Sequence, residues 1–150
     1  MTTVKIFAGT HIGLRDNNED NFIVCPNIES NEWSVPTHHQ ATIPIGNLGC
    51  LLVVADGMGG QNAGEVASEI AIHTVQEMFA PSSLPSDVTC SADSIKNYLK
   101  KVIIEADERI KKHSKAEAST VGMGSTIVIV WCLNDKVYVE KYIQNVIRLK

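Results

Sequence analysis

The sequence predicts an α+β domain in which hairpin-linked antiparallel strands share one core with two helices. Three observations support this prediction. Strand-like segments lie towards both ends of the chain, two segments with helical periodicity lie between them, and no strand–helix–strand unit repeats. A length of 150 residues and a hydrophobic fraction of 44% are typical of one domain, residues 1–150, with one ordinary core.

The first strands are predicted from short apolar segments near the N-terminus. Residues 4–8 alternate between the two faces of a strand, and this strand is expected to end at Gly9 or Gly13. Residues 22–24, Phe-Ile-Val, predict a short second strand. Residues 26–47 contain three prolines together with several Asn and Ser, which predicts a long loop or an irregular hairpin.

A buried strand and the first helix come next. Residues 51–55 form a continuous apolar run that stops at Asp56, as expected of a strand in the core. Residues 64–79 then show helical periodicity, with small and aliphatic side chains on one face and most glutamates outside it. The prolines at 81 and 85 end this helix.

The second helix and a hairpin complete the pattern. Residues 91–94 offer capping side chains, and residues 95–110 carry an apolar stripe at helical spacing. Residues 125–133 are β-branched and apolar, which predicts a strand. A turn at Asn134 and Asp135 leads into its partner, residues 137–139.

Charge and composition exclude several classes of protein. Lys+Arg 13 against Asp+Glu 17 leave a net charge of −4 without a basic cluster, which argues against nucleic-acid binding. The longest apolar run, residues 127–133, is far shorter than the ~20 residues that span a bilayer. The first residues contain no apolar segment typical of a signal peptide, and the four cysteines form no CxxC pair. We therefore expect a cytoplasmic protein without a membrane partner.

Two polar segments are poorly explained by packing. Residues 15–21 crowd acids and amides together ahead of a strand, and residues 56–60, Asp-Gly-Met-Gly-Gly, follow a buried strand. An acid at the end of a core strand must be solvated, capped or bound to a cation, because burying it unpaired costs several kcal/mol. Hard oxygen ligands from Glu19, Asp20 and Asp56, together with the Gly57 carbonyl, suit Mg²⁺ or Mn²⁺.

Each segment also has a simpler interpretation. Residues 16–21 can be a solvated turn, and Asp-Gly is a common turn dipeptide. An EF-hand loop beginning at Asp16 lacks its glycine and its final glutamate. A dinucleotide fingerprint beginning at Gly57 has Asn62 in place of its third glycine, and no phosphate-binding Gly-Lys-Ser/Thr segment occurs. The combination of the two acidic segments favours the cation site.

Four short motifs follow one another along the chain. They are Arg-x-x-Asn-Glu-Asp at residues 15–20, Val-Ala-Asp-Gly-Met-Gly-Gly at 54–60, Gly-Glu-x-Ala-Ser at 64–68 and Gly-Met-Gly-Ser-Thr at 122–126. In this order they resemble the motifs of the metal-dependent protein serine/threonine phosphatases of the 2C type, the PPM family. The Met-Gly-Gly variant is similar to the bacterial branch. The resemblance extends from about residue 7 to about residue 139 and covers only the N-terminal part of such a domain.

The resemblance implies both a fold and an activity. The fold would be a two-sheet β-sandwich flanked by helices, present here incompletely. The activity would be hydrolysis of phosphoserine and phosphothreonine on proteins by a water activated at a binuclear Mg²⁺ or Mn²⁺ centre. The implied partners are phosphorylated protein substrates and a cognate kinase, as in a signalling enzyme.

The resemblance also implies roles for individual residues. Arg15 matches the arginine that grips the substrate phosphate, for which a planar guanidinium is well suited. Asp56 matches the aspartate that bridges both metals, and the Gly57 carbonyl matches a ligand of one of them. Glu19 and Asp20 match acids that hold the metals directly or through water. The glycine-rich residues 122–126 are expected to be structural.

The sequence departs from the family pattern at two places. Met58 stands where the eukaryotic branch has a histidine proposed as general acid, so a water is expected to supply that proton. After Val139 the Gly-Asp-Ser-Arg segment and the later metal-binding acids are missing. The alternative function is therefore a catalytically inactive remnant or a phosphoprotein-binding module. Central strands without partners also predict an open core face and self-association.

Overall fold

The computed structural model describes residues 3–34, 41–59 and 63–143. It contains six strands and two long helices within those residues. These are β1 (Thr3–Ile6), β2 (Asp20–Cys25), β3 (Ala41–Pro44), β4 (Cys50–Met58), α1 (Ala63–Met78), α2 (Ala92–Ala116), β5 (Gly124–Leu133) and β6 (Lys136–Ile143). Short 3₁₀ turns lie at Ile28–Ser30 and Ala118–Thr120.

The strands form two antiparallel sheets. The larger sheet has the order β2-β4-β5-β6, and the smaller one pairs β1 with β3. Strand β4 is central and lies between β2 and β5, with Asp20 opposite Asp56 on one side and Thr126 opposite Asp56 on the other. The predicted α+β class is confirmed, with two sheets and two helices as expected.

The core lies between the larger sheet and the two helices. Trp131 of β5 is fully buried, and its ring meets Phe79 edge-on with 5.1 Å between ring centroids. Phe79, just after α1, also meets Tyr98 of α2 at 5.5 Å. The Trp131 indole N–H donates to the Leu48 carbonyl at 2.8 Å, so its polar atom is satisfied. One aromatic cluster therefore joins the sheet to both helices.

The other face of the larger sheet carries aliphatic side chains that water reaches. Because side chains alternate along a strand, these residues are the neighbours of the core residues. They are Leu52, Val54, Val128, Val130, Val137 and Val139. Val54 is 54% exposed, whereas the adjacent Val53, which faces the helices, is 1% exposed. We call these six residues the open face.

The structure differs from the predicted strands at several places. Strand β4 does not stop at Asp56 but continues to Met58, which lies opposite Gly124. The ladder to β5 uses backbone groups, so a change from apolar to polar side chains does not interrupt it. The first strand ends at Ile6, before Gly9. Residues 41–44 of the expected loop form β3, whose partner β1 is distant in sequence and therefore leaves no local signal.

Several sequence features outside the site are also located. Within the described ranges, no helix combines the length and apolarity needed to cross a bilayer. All four cysteines are free, and Cys25, Cys50 and Cys132 are buried as small hydrophobes. Gly60 and Asn62 lie outside the described residues.

Candidate active site

The predicted acids Asp20 and Asp56 lie side by side at one end of the larger sheet. Asp20 begins β2 and is the register partner of Asp56 in β4. Partial burial raises the pKa of Asp56, and the negative charge of Asp20 and a hydrogen bond with it act in the same direction. The charge of Arg15 acts against this rise. The two carboxylates therefore belong to residues that lie directly opposite each other on neighbouring strands, and their side chains project to the same face of the sheet.

Arg15 is held at the rim of this end by its own loop. Its Nη1 atom lies 3.1 Å from Oε2 of Glu19, and the arginine side chain remains 71% exposed. The Arg15 amide donates to the Ile12 carbonyl at 3.3 Å, which closes a turn with Gly13 at φ 66°. A positive φ at this position favours glycine. The loop thus presents a largely open guanidinium beside the acids.

Glu19 connects the arginine to the start of helix α1. Its backbone carbonyl accepts a hydrogen bond from the Gly57 amide at 3.1 Å. A Cβ atom on Gly64 would lie 2.5 Å from Oε1 of Glu19, and one on Gly57 would overlap the Gly64 carbonyl oxygen. Only glycine allows this approach, so the glycines of two motifs bring β4, α1 and Glu19 together.

Strand β5 anchors the backbone of Asp56, a role that the sequence analysis missed. The Thr126 hydroxyl accepts a hydrogen bond from the Asp56 amide at 3.3 Å, and the Ser125 hydroxyl donates to the Asp56 carbonyl at 3.2 Å. A structural role is the one predicted for residues 122–126. Two of these residues, Ser125 and Thr126, bind the backbone carbonyl and amide of Asp56. The signal in the sequence was the Ser-Thr pair itself, but its partner lies 69 and 70 residues away.

Asn18 organises the approach to Asp20. Its side-chain amide donates to the Thr10 hydroxyl at 2.9 Å, and its side-chain oxygen accepts from the Asp20 amide at 3.2 Å. These bonds tie the loop before β2 to the end of the chain segment that follows β1. Thr10 carried no signal in the sequence.

The acids and the arginine line one open cleft of about 310 Å³. Its lining residues are His11, Ile12, Gly13, Leu14, Arg15, Asn17, Asn18, Glu19, Asp20 and Asp56. The cleft therefore contains the four charged residues that the sequence singled out. His11 is exposed and also lines the cleft, and its Nδ1 atom accepts a hydrogen bond from the Gly13 amide at 2.9 Å.

The donor set fits a cation only in part. Asp20 and Asp56 offer hard oxygen atoms from opposite positions of neighbouring strands, and a divalent cation would offset the repulsion between their two negative charges. Mg²⁺ is commonly held by one or two carboxylates and keeps several waters. In the described part of the chain, however, no group of three or more His, Cys, Asp or Glu side chains is placed to hold a metal ion. The residues suit one water-rich cation better than two.

Comparison with known proteins identifies the family. The profile of the family described as "Protein phosphatase 2C" matches residues 40–141, which include Asp56 and Gly57 but not the segment at 15–20. A "Serine/threonine phosphatase stp" of Listeria monocytogenes serotype 4b (strain F2365) is 36% identical over 78 residues. Its counterpart in Listeria welshimeri is 35% identical over 78 residues. Each match covers 52% of this chain and 29% of the relative.

Solved structures extend the likeness to most of the chain. Serine/threonine phosphatase Stp1 from Staphylococcus aureus is 25% identical with a TM-score of 0.60, and the match covers 92% of this chain and 44% of that one. The S. agalactiae serine/threonine phosphatase shares the fold at a TM-score of 0.59 and 20% identity. The chain spans about half the length of these structures, or less, which fits the N-terminal part of such a domain. The chain belongs to the protein phosphatase 2C family.

Proposed function

We propose that this chain takes part in metal-dependent hydrolysis of phosphoserine and phosphothreonine on proteins, with Mg²⁺ or Mn²⁺ as cofactor. The observation that supports this is the placement of Asp20 opposite Asp56 in a cleft that also contains the open guanidinium of Arg15. Relatives named serine/threonine phosphatases share the family. The proposed setting is the cytoplasm of a bacterium, with phosphoproteins and a cognate kinase as signalling partners.

In the proposed mechanism, Arg15 receives the phosphate of the substrate. A guanidinium presents paired N–H donors that match phosphate oxygens, and this one is mostly exposed. Glu19 pairs with the guanidinium at 3.1 Å, and its carboxylate lies against Gly64 at the start of α1. Phosphate binding at Arg15 would therefore begin from an oriented side chain, which lowers the entropic cost of binding.

The acids would hold the metal ions. Asp56 would supply carboxylate oxygens, the Gly57 backbone would supply its carbonyl oxygen, and Glu19 and Asp20 would bind directly or through water. When bound, such ions lower the pKa of a coordinated water and offset charge that develops on the phosphoryl group. Met58 has no proton to donate to the leaving group, so that proton would come from water.

A second candidate is a phosphoprotein-binding module without turnover. The observation that favours it is the absence, in the described ranges, of any cluster of three or more potential metal-binding side chains. Arg15 would then bind phosphate while the two aspartates bind at most a single cation. The two candidates share the phosphate site and differ in whether the phosphate ester is cleaved.

Hydrolysis of p-nitrophenyl phosphate by the purified chain tests the proposal. The enzymatic function predicts release of nitrophenol that requires Mn²⁺, stops with EDTA and falls at least about a hundredfold in Asp56→Asn. Asp135→Asn, an equivalent change in an exposed turn, is the control and should keep full activity. No Mn²⁺-dependent release, together with phosphopeptide binding that Arg15→Ala abolishes, would establish the binding module instead.

A further inference from the structure

Strand β6 has an edge that no strand among the described residues covers. It is the last strand in the order β2-β4-β5-β6, and it is eight residues long. Val137 and Val139, the two residues that β6 contributes to the open face, are 62% and 57% exposed. Val128 and Val130, on the same face of β5, are half-buried. The difference arises because the β5 valines have a neighbouring strand on both sides.

The side chains along this edge are complementary to themselves. In an antiparallel pair, residues opposite each other point to the same face, and a two-fold axis through Tyr138 pairs residues whose numbers are symmetric about it. Lys136 then lies opposite Glu140 of the second copy, and Val137 lies opposite its Val139. By symmetry each of these pairs occurs twice. Opposite charges and β-branched residues at facing positions are favourable cross-strand pairs.

We propose that β6 pairs with β6 of a second copy of this chain in that register, forming an eight-stranded sheet across a two-fold axis at Tyr138. A second copy is the partner that fits best, because the charges along β6 are complementary to the same strand running in the opposite direction. It does not depend on the catalytic proposal, since Tyr138 pairs with Trp131 and lies several residues along the strands from Thr126, the partner of Asp56.

Other registers lose the complementarity. Moving the axis to Val139 sets Val137 against Lys141 of the second copy. The same shift sets Tyr138 against Glu140. Moving the axis to Glu140 sets this carboxylate against its own copy, and like charges directly opposite are destabilising. A pairing that set Tyr138 against Val139 of the second copy would turn that copy over, because these two residues belong to opposite faces of the strand.

Charge reversal provides the test, with sedimentation velocity as the measurement over a range of protein concentrations. Lys136→Glu alone and Glu140→Lys alone should each raise the dimer dissociation constant by about tenfold or more, because two attractive pairs become repulsive. The double variant should regain the affinity of the parent chain. An equimolar mixture of the two single variants should form heterodimers in preference to either homodimer. Lys100→Glu, the same charge change on α2, should have no effect.

Circular dichroism melts of each variant separate loss of pairing from loss of folding. A parent chain that sediments as a monomer at all concentrations would overturn the proposal, because it would show that the edge of β6 does not pair with a second copy. Equal weakening in the single and double variants would also overturn it, because it would show that these charges do not face each other. Dimers that survive both single changes would place the contact elsewhere, on the open face.

Discussion

At the residue scale, the chemistry of the cleft depends on the interactions between the charged side chains that line it. Asp56 faces Asp20, and its pKa is raised because partial burial and the neighbouring acid both disfavour its charged form. The folded chain therefore binds this proton more tightly than the unfolded chain does. Asp56 consequently costs stability as pH rises from its ordinary pKa of 3.8 through the raised value, and this cost persists at neutral pH.

Removing the charge of Asp56 should stabilise the metal-free protein. In Asp56→Asn the free energy of unfolding at pH 7 should rise by less than about 1 kcal/mol, a small gain because solvent screens this pair. Urea denaturation between pH 4 and pH 7 in EDTA measures it, and the variant should lose part of the pH dependence of the parent chain. A lower stability of the variant in EDTA would contradict the raised pKa.

The same pair of variants reports on the cation. Mn²⁺ should raise the melting temperature of the parent chain, because a ligand that binds only the folded state stabilises it, and should have no effect on Asp56→Asn. Asp135→Asn should respond as the parent chain does. An equal shift in all three proteins would place Mn²⁺ binding elsewhere.

At the element scale, the site exists because β4 and α1 approach each other without side chains between them. Gly57 and Gly64 meet backbone to backbone, and this contact places the first turn of α1 against Glu19. On the other side of β4, the hydroxyls of Ser125 and Thr126 bind both backbone polar groups of Asp56. The position of Asp56 therefore depends on contacts between β4 and three other parts of the chain, which are the segment ending at Glu19, the first turn of α1 and the start of β5. Each of these contacts comes from a different motif.

Glycine-to-alanine changes should distinguish the cost of a steric overlap between β4 and α1 from the cost of a strained backbone conformation. Gly57→Ala should cost about 3 kcal/mol of unfolding free energy, because its Cβ would overlap the Gly64 carbonyl oxygen and the backbone must shift. Gly13→Ala is the matched control: its positive φ costs about 1 kcal/mol, but nothing lies within 4 Å of the added atom. Equal losses in urea denaturation would show that β4 and α1 are not in close contact.

At the scale of the whole molecule, the sheet is covered unequally. The helices bury one face around Trp131, Phe79 and Tyr98. The open face shows valines to solvent, and contiguous apolar surface of this kind promotes association. Self-association, which the motif analysis predicted, stays a prediction, and a monodisperse monomer that melts cooperatively would contradict it.

Two adjacent valines distinguish the faces. Val53→Thr should cost about 2 kcal/mol of unfolding free energy, because the hydroxyl enters the core without a partner. Val54→Thr should change this free energy by less than about 0.5 kcal/mol and lower the binding of the dye ANS, because its side chain is mostly exposed. Urea denaturation and ANS fluorescence provide the two measurements. Similar losses of stability in the two variants would indicate that the open face is covered.

The elements that the sequence predicted well are those whose signal is local. Helix α2 begins at Ala92, within the predicted capping segment 91–94, and Ser91 is its N-cap. Strand β5 is a β-branched run and begins one residue before its predicted start at Ser125. Strand β3 was missed because its four residues form a strand only by pairing with β1. The continuation of β4 through Gly57 was missed because the ladder to β5, not the side chains, maintains it.

The sequence by itself determined the fold class, the order of the two helices and of the strands other than β3, and the identity of the acids and the arginine in the motifs. Periodicity and residue chemistry are local properties, so they can be read along the chain. Only the tertiary structure decided that Asp20 lies opposite Asp56, that Glu19 meets both Arg15 and the start of α1, and that Ser125 and Thr126 hold Asp56. Most of these contacts join residues that are distant in sequence. Their register is set by the packing of the whole sheet against the helices, which no local pattern encodes.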